Sequence, residues 1–212
     1  AAHHAGAASH GITPAETDNK TAVILAGGRG SRLGGQDKGL LEFAGRPISE
    51  HILEAISPQA GAVIINANRN LQHYSKYGQP VISDEMDDYQ GPLAGFAAAL
   101  AACSTDYILT LPCDGPFVPA DLIARMSRAM LGQQAELAVA HDGQRMQPVY
   151  ALIPRTLETS LLQFLDSGER KTDRWYTLHN TALADFSDVA DTFFNINTDD
   201  DRRLADSRRN LP

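Results

Sequence analysis

Five short, unbroken apolar runs constrain this 212-residue chain more than any other feature. They lie at Ala22–Leu25, Ala62–Ile65, Pro80–Ser83, Tyr107–Leu111 and Leu137–Ala140. Runs of this length with no polar alternation read as strands buried on both faces. Helical stripes separate them. One begins near Pro47 and carries Ile48, Ile52, Leu53 and Ile56; a second runs from Pro92 through Phe96 to Ala102. A third begins near Pro119 with Leu122, Ile123 and Met126. Proline at a first helical position has no hydrogen bond to lose there. Strands alternating with helices imply right-handed crossovers and a mostly parallel sheet with helices on both sides.

The second half departs slightly from that alternation. Gln147–Ile153 is expected to pair beside Leu137–Ala140 as a hairpin across Asp142-Gly143, which makes the sheet partly mixed. Helices are expected at 155–166 and 172–180, strands at 182–186 and Phe193–Ile196, and a closing helix from Asp199. With no internal linker or repeat, residues 21–212 read as one α/β domain. Residues 1–20, with His3, His4 and His10 among alanines and polar residues, read as a disordered extension or a cloning remnant outside it.

Composition excludes several classes. At 43% hydrophobic and 21% charged the chain has the make-up of a globular protein. A formal net charge of −8 argues against nucleic acid or an anionic membrane as partner. No apolar run approaches the roughly 18 residues of a membrane span. The two cysteines, Cys103 and Cys113, give neither a disulfide framework nor a zinc knuckle and suit a cytoplasmic location.

The first apolar run empties into Leu25-Ala-Gly-Gly-Arg-Gly-Ser-Arg-Leu-Gly-Gly-Gln-Asp-Lys38, which holds five glycines within nine residues. Such a backbone brings bare N–H groups close to an anion, and Arg29, Arg32 and Lys38 supply positive charge. A P-loop needs Gly-Lys-Ser/Thr, but Asp37 precedes Lys38 and Gly39 follows it. The dinucleotide fingerprint fails too, because Leu33 stands where its last glycine belongs. The loop reads as a phosphate cradle of another kind, or else as a surface turn with solvated arginines.

Ligands of an open parallel sheet gather at the carboxyl ends of its strands. Asp114 follows the run Tyr107–Leu111 and suits a magnesium ion held by one carboxylate, phosphate oxygens and water; as an alternative it caps a turn before Phe117. Lys38 suits a point charge on a nucleotide phosphate, or is solvated. Asp84 offers two acceptors, as a guanine edge requires, or is an ordinary loop acid. Asn66 would bind ribose or base, or satisfy backbone. Cys113 reads as a packing residue, and His51, His73, His141 and His179 lack metal-ligand spacing.

Taken together, these segments resemble the molybdenum cofactor guanylyltransferase (MobA) family of nucleotidyltransferases. The resemblance rests on Leu25-Ala-Gly-Gly28, Arg32-Leu-Gly-Gly, Asp37-Lys-Gly-Leu-Leu41 and Gly45-Arg-Pro47. It is extended by Ile65-Asn-Ala-Asn68, Gly91-Pro-Leu-Ala-Gly95, Leu111-Pro-Cys-Asp114, Gly168-Glu-Arg170 and Asn195-Ile-Asn-Thr198. It implies a single-domain, three-layer Rossmann-like nucleotidyltransferase fold. It also implies that GTP is bound by Leu25, Ala26, Gly27, Gly28, Lys38, Asn66, Asp84 and Asp114, with Mg2+ on Asp114. GMP would pass to molybdopterin, the molybdenum cofactor, and pyrophosphate would leave; cofactor-transfer proteins are a further class of partner it allows. Arg32, Lys38 and Asp114 are the expected catalytic groups. A cytidylyltransferase or sugar-1-phosphate nucleotidyltransferase of the same fold is the competing expectation. Arg170 and Lys171 are candidates for the acceptor phosphate and Trp175 for a flat face against the pterin, with a solvated connection and a core tryptophan as the alternative.

Overall fold

The computed structural model describes residues 18–26, 32–33, 36–84 and 91–209 of the chain, with backbone alone at 32, 33 and 36. Gly27, Gly28 and the side chain of Arg32 therefore lie outside the described residues, as does most of the 1–20 extension.

The strands of the main sheet are β1 (Lys20–Leu25), β2 (Ala62–Asn66), β3 (Val81–Ile82), β4 (Tyr107–Pro112), β5 (Leu137–His141), β6 (Met146–Pro154) and β7 (Thr181–Asp185). Their spatial order is β7-β5-β6-β4-β1-β2-β3. Strand β1 runs parallel to β2, with Thr21 opposite Ala62, and parallel to β4, with Lys20 opposite Tyr107. Within this sheet only β6 is antiparallel, to β4 on one side and β5 on the other. The other strands thus end at one edge of the sheet. Two short ribbons, Arg32–Leu33 with Gln36–Asp37 and Glu42–Phe43 with Arg46–Pro47, stand apart from it.

Seven α-helices are described: α1 (Ile48–Ile56), α2 (Leu71–Ser75), α3 (Pro92–Ala102), α4 (Leu122–Gly132), α5 (Glu158–Asp166), α6 (Thr172–Tyr176) and α7 (Asp199–Arg209). Successive strand residues face opposite sides of the sheet, and each side has its own core. Ala22 and Ile24 of β1 pack with Ile48, Ile52 and Ile56 of α1, Met126 of α4 and Ala205 of α7. Val23 packs on the other side with Phe96 of α3, Leu161 of α5 and Trp175 of α6. Each fully buried large apolar side chain contributes about 1.5–3 kcal/mol, so the doubly covered strands carry much of the stability. Hence the uninterrupted apolar runs.

The Asp142-Gly143 hairpin forms as expected. Asp142 accepts the N–H groups of Gln144 (2.8 Å) and Arg145 (2.9 Å), and these bonds hold its carboxyl down at about 2. Two expectations fail. Ser187–Phe193 is a run of 3-10 turns and Phe194–Asn197 joins no strand ladder. The Ile196 N–H donates to the Asp114 carbonyl beyond the end of β4, and the apolar side chains of Phe193, Phe194 and Ile196 are used in packing the core. The helix expected over 172–180 stops at Tyr176, and turns complete the segment.

Candidate active site

The chain leaves β1 toward β2, then returns through α3 to β4 on the other side of β1. At such a reversal the loops beyond adjacent strands diverge and open a crevice. Leu25 and Ala26 end β1 at that crevice, and the buried Ala26 donates its N–H to the Asn66 carbonyl at 2.7 Å.

Lys38 reaches the crevice from a 3-10 turn, Lys38–Leu40, which a neighbouring acid fixes. The buried Asp37 accepts the Gly39 N–H at 3.0 Å through one carboxylate oxygen and the Asn70 amide at 3.2 Å through the other. Lys38 Nζ donates to Asn197 Oδ1 at 2.6 Å and lies 3.9 Å from Asp114 Oδ2. Both charged side chains are largely withdrawn from water, 13% and 16% exposed. Burial pushes the Asp114 carboxyl above the ordinary aspartate range, and the Lys38 ammonium opposes that shift. Asp114 Oδ1 is buried and has no hydrogen-bond partner. Asn195 Oδ1 is in the same condition, and a Cβ on Gly115 would come within 3.3 Å of it. Between the two asparagines, the fully buried Ile196 donates its N–H to the Asp114 carbonyl at 2.9 Å. Two unsatisfied oxygen acceptors thus lie on adjoining segments, that of Asp114 on a carboxylate beside a lysine.

A second cluster forms beyond β2 and β3. Asn66 Nδ2 donates to Asp84 Oδ1 at 2.8 Å and Asn68 Nδ2 to Asp84 Oδ2 at 3.3 Å, while the Asp84 N–H returns a bond to Asn68 Oδ1 at 3.0 Å. The carboxylate is held from both sides with lone pairs to spare. Helix α3 approaches closely: a Cβ on Gly95 would lie 2.7 Å from Asn66 Oδ1 and 2.9 Å from Leu25 Cδ2, so no larger residue fits without displacing them.

The structure therefore brings Lys38 together with Asp114, and Asn66 with Asp84. It adds Asn68, Asn195 and Asn197, which the sequence reading quoted as motif letters without roles. Asn66/Asn68 and Asn195/Asn197 share a spacing of two, which places both members on one face of an extended segment. Trp175 is a correction. It is fully buried, its Nε1 donates to Ser160 Oγ at 3.1 Å, and it offers no face to a ligand. Arg170 Nη1 donates to the carbonyls of Leu165 and Glu169, both at 2.7 Å, so it braces the end of α5. Cys113 is buried, and burial with the adjacent Asp114 raises its thiol far above neutrality, as a packing residue requires.

Comparison with known proteins follows the same lines. The fold matches that of molybdopterin-guanine dinucleotide biosynthesis protein A from Archaeoglobus fulgidus with a TM-score of 0.74 at 23% identity, covering 89% of this chain and 98% of that one. It also matches a 4-diphosphocytidyl-2C-methyl-D-erythritol synthase from Anaerococcus prevotii with a TM-score of 0.72 at 12% identity, covering 96% of this chain and 100% of the other. This is the mixed, mostly parallel α/β fold of the nucleotidyltransferases. A family model described as the MobA-like NTP transferase domain matches residues 22–182, and the chain belongs to that family. The molybdenum cofactor guanylyltransferase of Shewanella halifaxensis (strain HAW-EB4) is 49% identical over 182 residues, covering 86% of this chain and 91% of that protein. The protein of the same name from Shewanella piezotolerans is 46% identical over 195 residues, covering 90% and 96%.

Proposed function

We propose that this chain transfers GMP from GTP to molybdopterin in its molybdenum cofactor form, yielding the guanine dinucleotide cofactor and pyrophosphate. The observation that carries the reading is the meeting of Lys38 Nζ and the Asp114 carboxylate, 3.9 Å apart, in the crevice beyond β1 and β4. The names borne by relatives at 46–49% identity supply the substrate pair.

The acceptor is a phosphate monoester, whose second pKa near 6 leaves it largely a dianion at neutral pH. One of its oxygens attacks the α-phosphorus of GTP, and the bond to the bridging oxygen of the β-phosphate breaks. No protein base has to remove a proton. The chain supplies alignment and positive charge. Lys38 is assigned to neutralise the phosphates, with Arg32 and the backbone of Gly27 and Gly28 assigned to the same task.

An unpartnered, desolvated carboxylate oxygen on Asp114 is a hard donor of the kind that fits a divalent cation such as Mg2+. When bound, that ion would spread the charge of the α-phosphate and the departing pyrophosphate. Asp84, braced by Asn66 and Asn68, is assigned to the N1–H and N2–H donors of guanine. The two free, buried cysteines agree with a reducing cytoplasm, where we place the reaction. No helix among the described residues is long and apolar enough to cross a membrane.

The test is pyrophosphate release on mixing the protein with molybdopterin and GTP, CTP, UTP or ATP in turn. Release with GTP alone is expected. Release with CTP or UTP in preference to GTP would replace this reading with the cytidylyl or sugar-nucleotide one.

A further inference from the structure

Lys38 finds its hydrogen-bond partner 159 positions away, in a short turn before the last helix, and that turn is fastened more firmly than a helix start requires. Thr198 is the N-cap of α7: its hydroxyl accepts the Asp201 N–H at 3.0 Å, and Asp201 Oδ2 accepts the Thr198 N–H at 3.0 Å. These two bonds form a reciprocal capping box. The same Asp201 oxygen also accepts the Asn197 N–H at 2.9 Å. Asn197 stands before the cap, so its N–H is not one of the donors a helix start leaves unsatisfied. The extra bond fixes Asn197 itself. On its other side, Ile196 is fastened by the Asp114 carbonyl.

Two further acids open α7, and neither turns back in this way. Asp199 pairs with Arg202 at 3.4 Å and Asp200 with Arg203 at 3.4 Å, both on the outer surface. At the far end, Arg208 pairs with Asp191 at 2.8 Å and lies 4.3 Å from the Phe194 ring centre. The helix buries only Ala205 completely, so polar fastenings do much of the work of holding it in place.

We propose that Asp201 is a positioning residue for nucleotidyl transfer: it fixes the Asn197 backbone so that Asn197 Oδ1 holds the Lys38 ammonium at the crevice. Asp201 does not touch the substrates. Its effect passes through Asn197 to Lys38. The inference rests on the proposed function for its kinetic readout and on geometry alone for its second readout.

The experiment compares Asp201→Ala, Asp201→Asn, Asn197→Ala, the double variant Asp201→Ala/Asn197→Ala, and Thr198→Val. Asp201→Ala is expected to lower kcat about tenfold, the loss of one charge-assisted hydrogen bond, with KM for GTP changed much less. Asp201→Asn keeps an oxygen that accepts the same two N–H groups and is expected to retain most of kcat. In the Asn197→Ala background, removing Asp201 adds no further loss, because both act on one lysine. Thr198→Val breaks the cap but keeps the anchor, so it lowers the unfolding temperature while kcat stays near wild type. An unchanged kcat in Asp201→Ala, or losses that multiply in the double variant, would reduce Asp201 to a helix cap.

The second readout needs no turnover. Lysines are labelled by reductive 13C-methylation, and the Lys38 signal is followed in each protein. It is expected to move alike in Asp201→Ala and Asn197→Ala and to stay in place in Asp201→Asn. If Asp201→Ala does not fold, Asp201→Asn and Thr198→Val decide. A Lys38 signal that moves in Thr198→Val as it does in Asn197→Ala would show that the cap, not the anchor, sets the lysine. A Lys38 signal unmoved in Asp201→Ala overturns the proposal. A wild-type protein that is inactive with GTP and molybdopterin, yet shows these shifts, overturns the proposed function and leaves the positioning intact.

Discussion

Lys38 Nζ stands 3.9 Å from Asp114 Oδ2, with both side chains withdrawn from solvent and Asp114 Oδ1 left without a partner. A carboxylate so placed is poorly solvated and only half satisfied. Replacing it by its near-isosteric amide, Asp114→Asn, removes the charge while keeping the shape. Turnover is expected to fall by at least about a hundredfold, while the circular dichroism spectrum is unchanged. Pyrophosphate release at saturating Mg2+ is the measurement. Near-normal activity there would make Asp114 a turn residue.

The same carboxylate predicts a pH dependence of stability. Burial raises its pKa in the folded protein above that in the unfolded chain. Between those two values the folded protein keeps a proton that the unfolded chain has released, so this group's contribution to stability falls as pH rises and levels off above the folded value. Unfolding midpoints of wild type and Asp114→Asn, measured with a chelator present from about pH 4 to about pH 7, should diverge as pH rises, with wild type losing ground. A constant difference across that range would count against a desolvated Asp114.

Base recognition has its own test. On the proposed role of Asp84, Asp84→Asn turns one acceptor for guanine into a donor, and a donor meeting a donor costs about 1–3 kcal/mol. The ratio of GTP to ATP affinity, from equilibrium titration, should therefore shrink by roughly tenfold or more. Asn68→Ala leaves the carboxylate in place but removes one bond to it and one to the Asp84 backbone N–H, and should give a smaller loss of the same kind. If both ratios stay at the wild-type value, the base is read elsewhere.

A third cluster is expected to matter only for stability. His179 Nε2 meets Ser160 Oγ at 2.7 Å and its Nδ1 meets Glu136 at 2.9 Å, while the Trp175 indole N–H occupies the same serine oxygen. This clasp joins α5, the turn after α6 and the start of β5. His179→Ala should cost about 1–3 kcal/mol by removing the imidazole partner of Ser160 and Glu136, with kcat and KM unchanged. Denaturant unfolding and steady-state kinetics on one preparation separate the two effects.

The strands were legible because a strand covered on both faces cannot alternate, and β1, β2, β4 and β5 each show that continuity. Phe193–Ile196 carries the same apolar signal, yet it serves as core packing beyond the strand ends. Side-chain composition does not distinguish the two uses. Lys38, Asp84 and Asp114 were legible as charged residues at strand ends. Asn68 and Asn195 were not, because an asparagine in a loop reads the same whether it caps a turn or faces a ligand. Trp175 misled because its cationic neighbours pointed to an anion site, whereas the ring is turned inward onto Ser160 of α5. Within Asp199-Asp-Asp201, only the fold distinguishes the acid that turns back from the two that face outward.

Strand β7 closes the sheet at Asp185, but the partner of Lys38 is Asn197, and Asp201 follows it. During synthesis, then, every strand described here has been made before the residue that pins the lysine is added. A chain truncated near residue 190 would contain every described strand of the sheet but not the partner of Lys38. The sheet and the placement of the lysine are thus completed at different points of synthesis, the second only once Asn197 and Asp201 have been added.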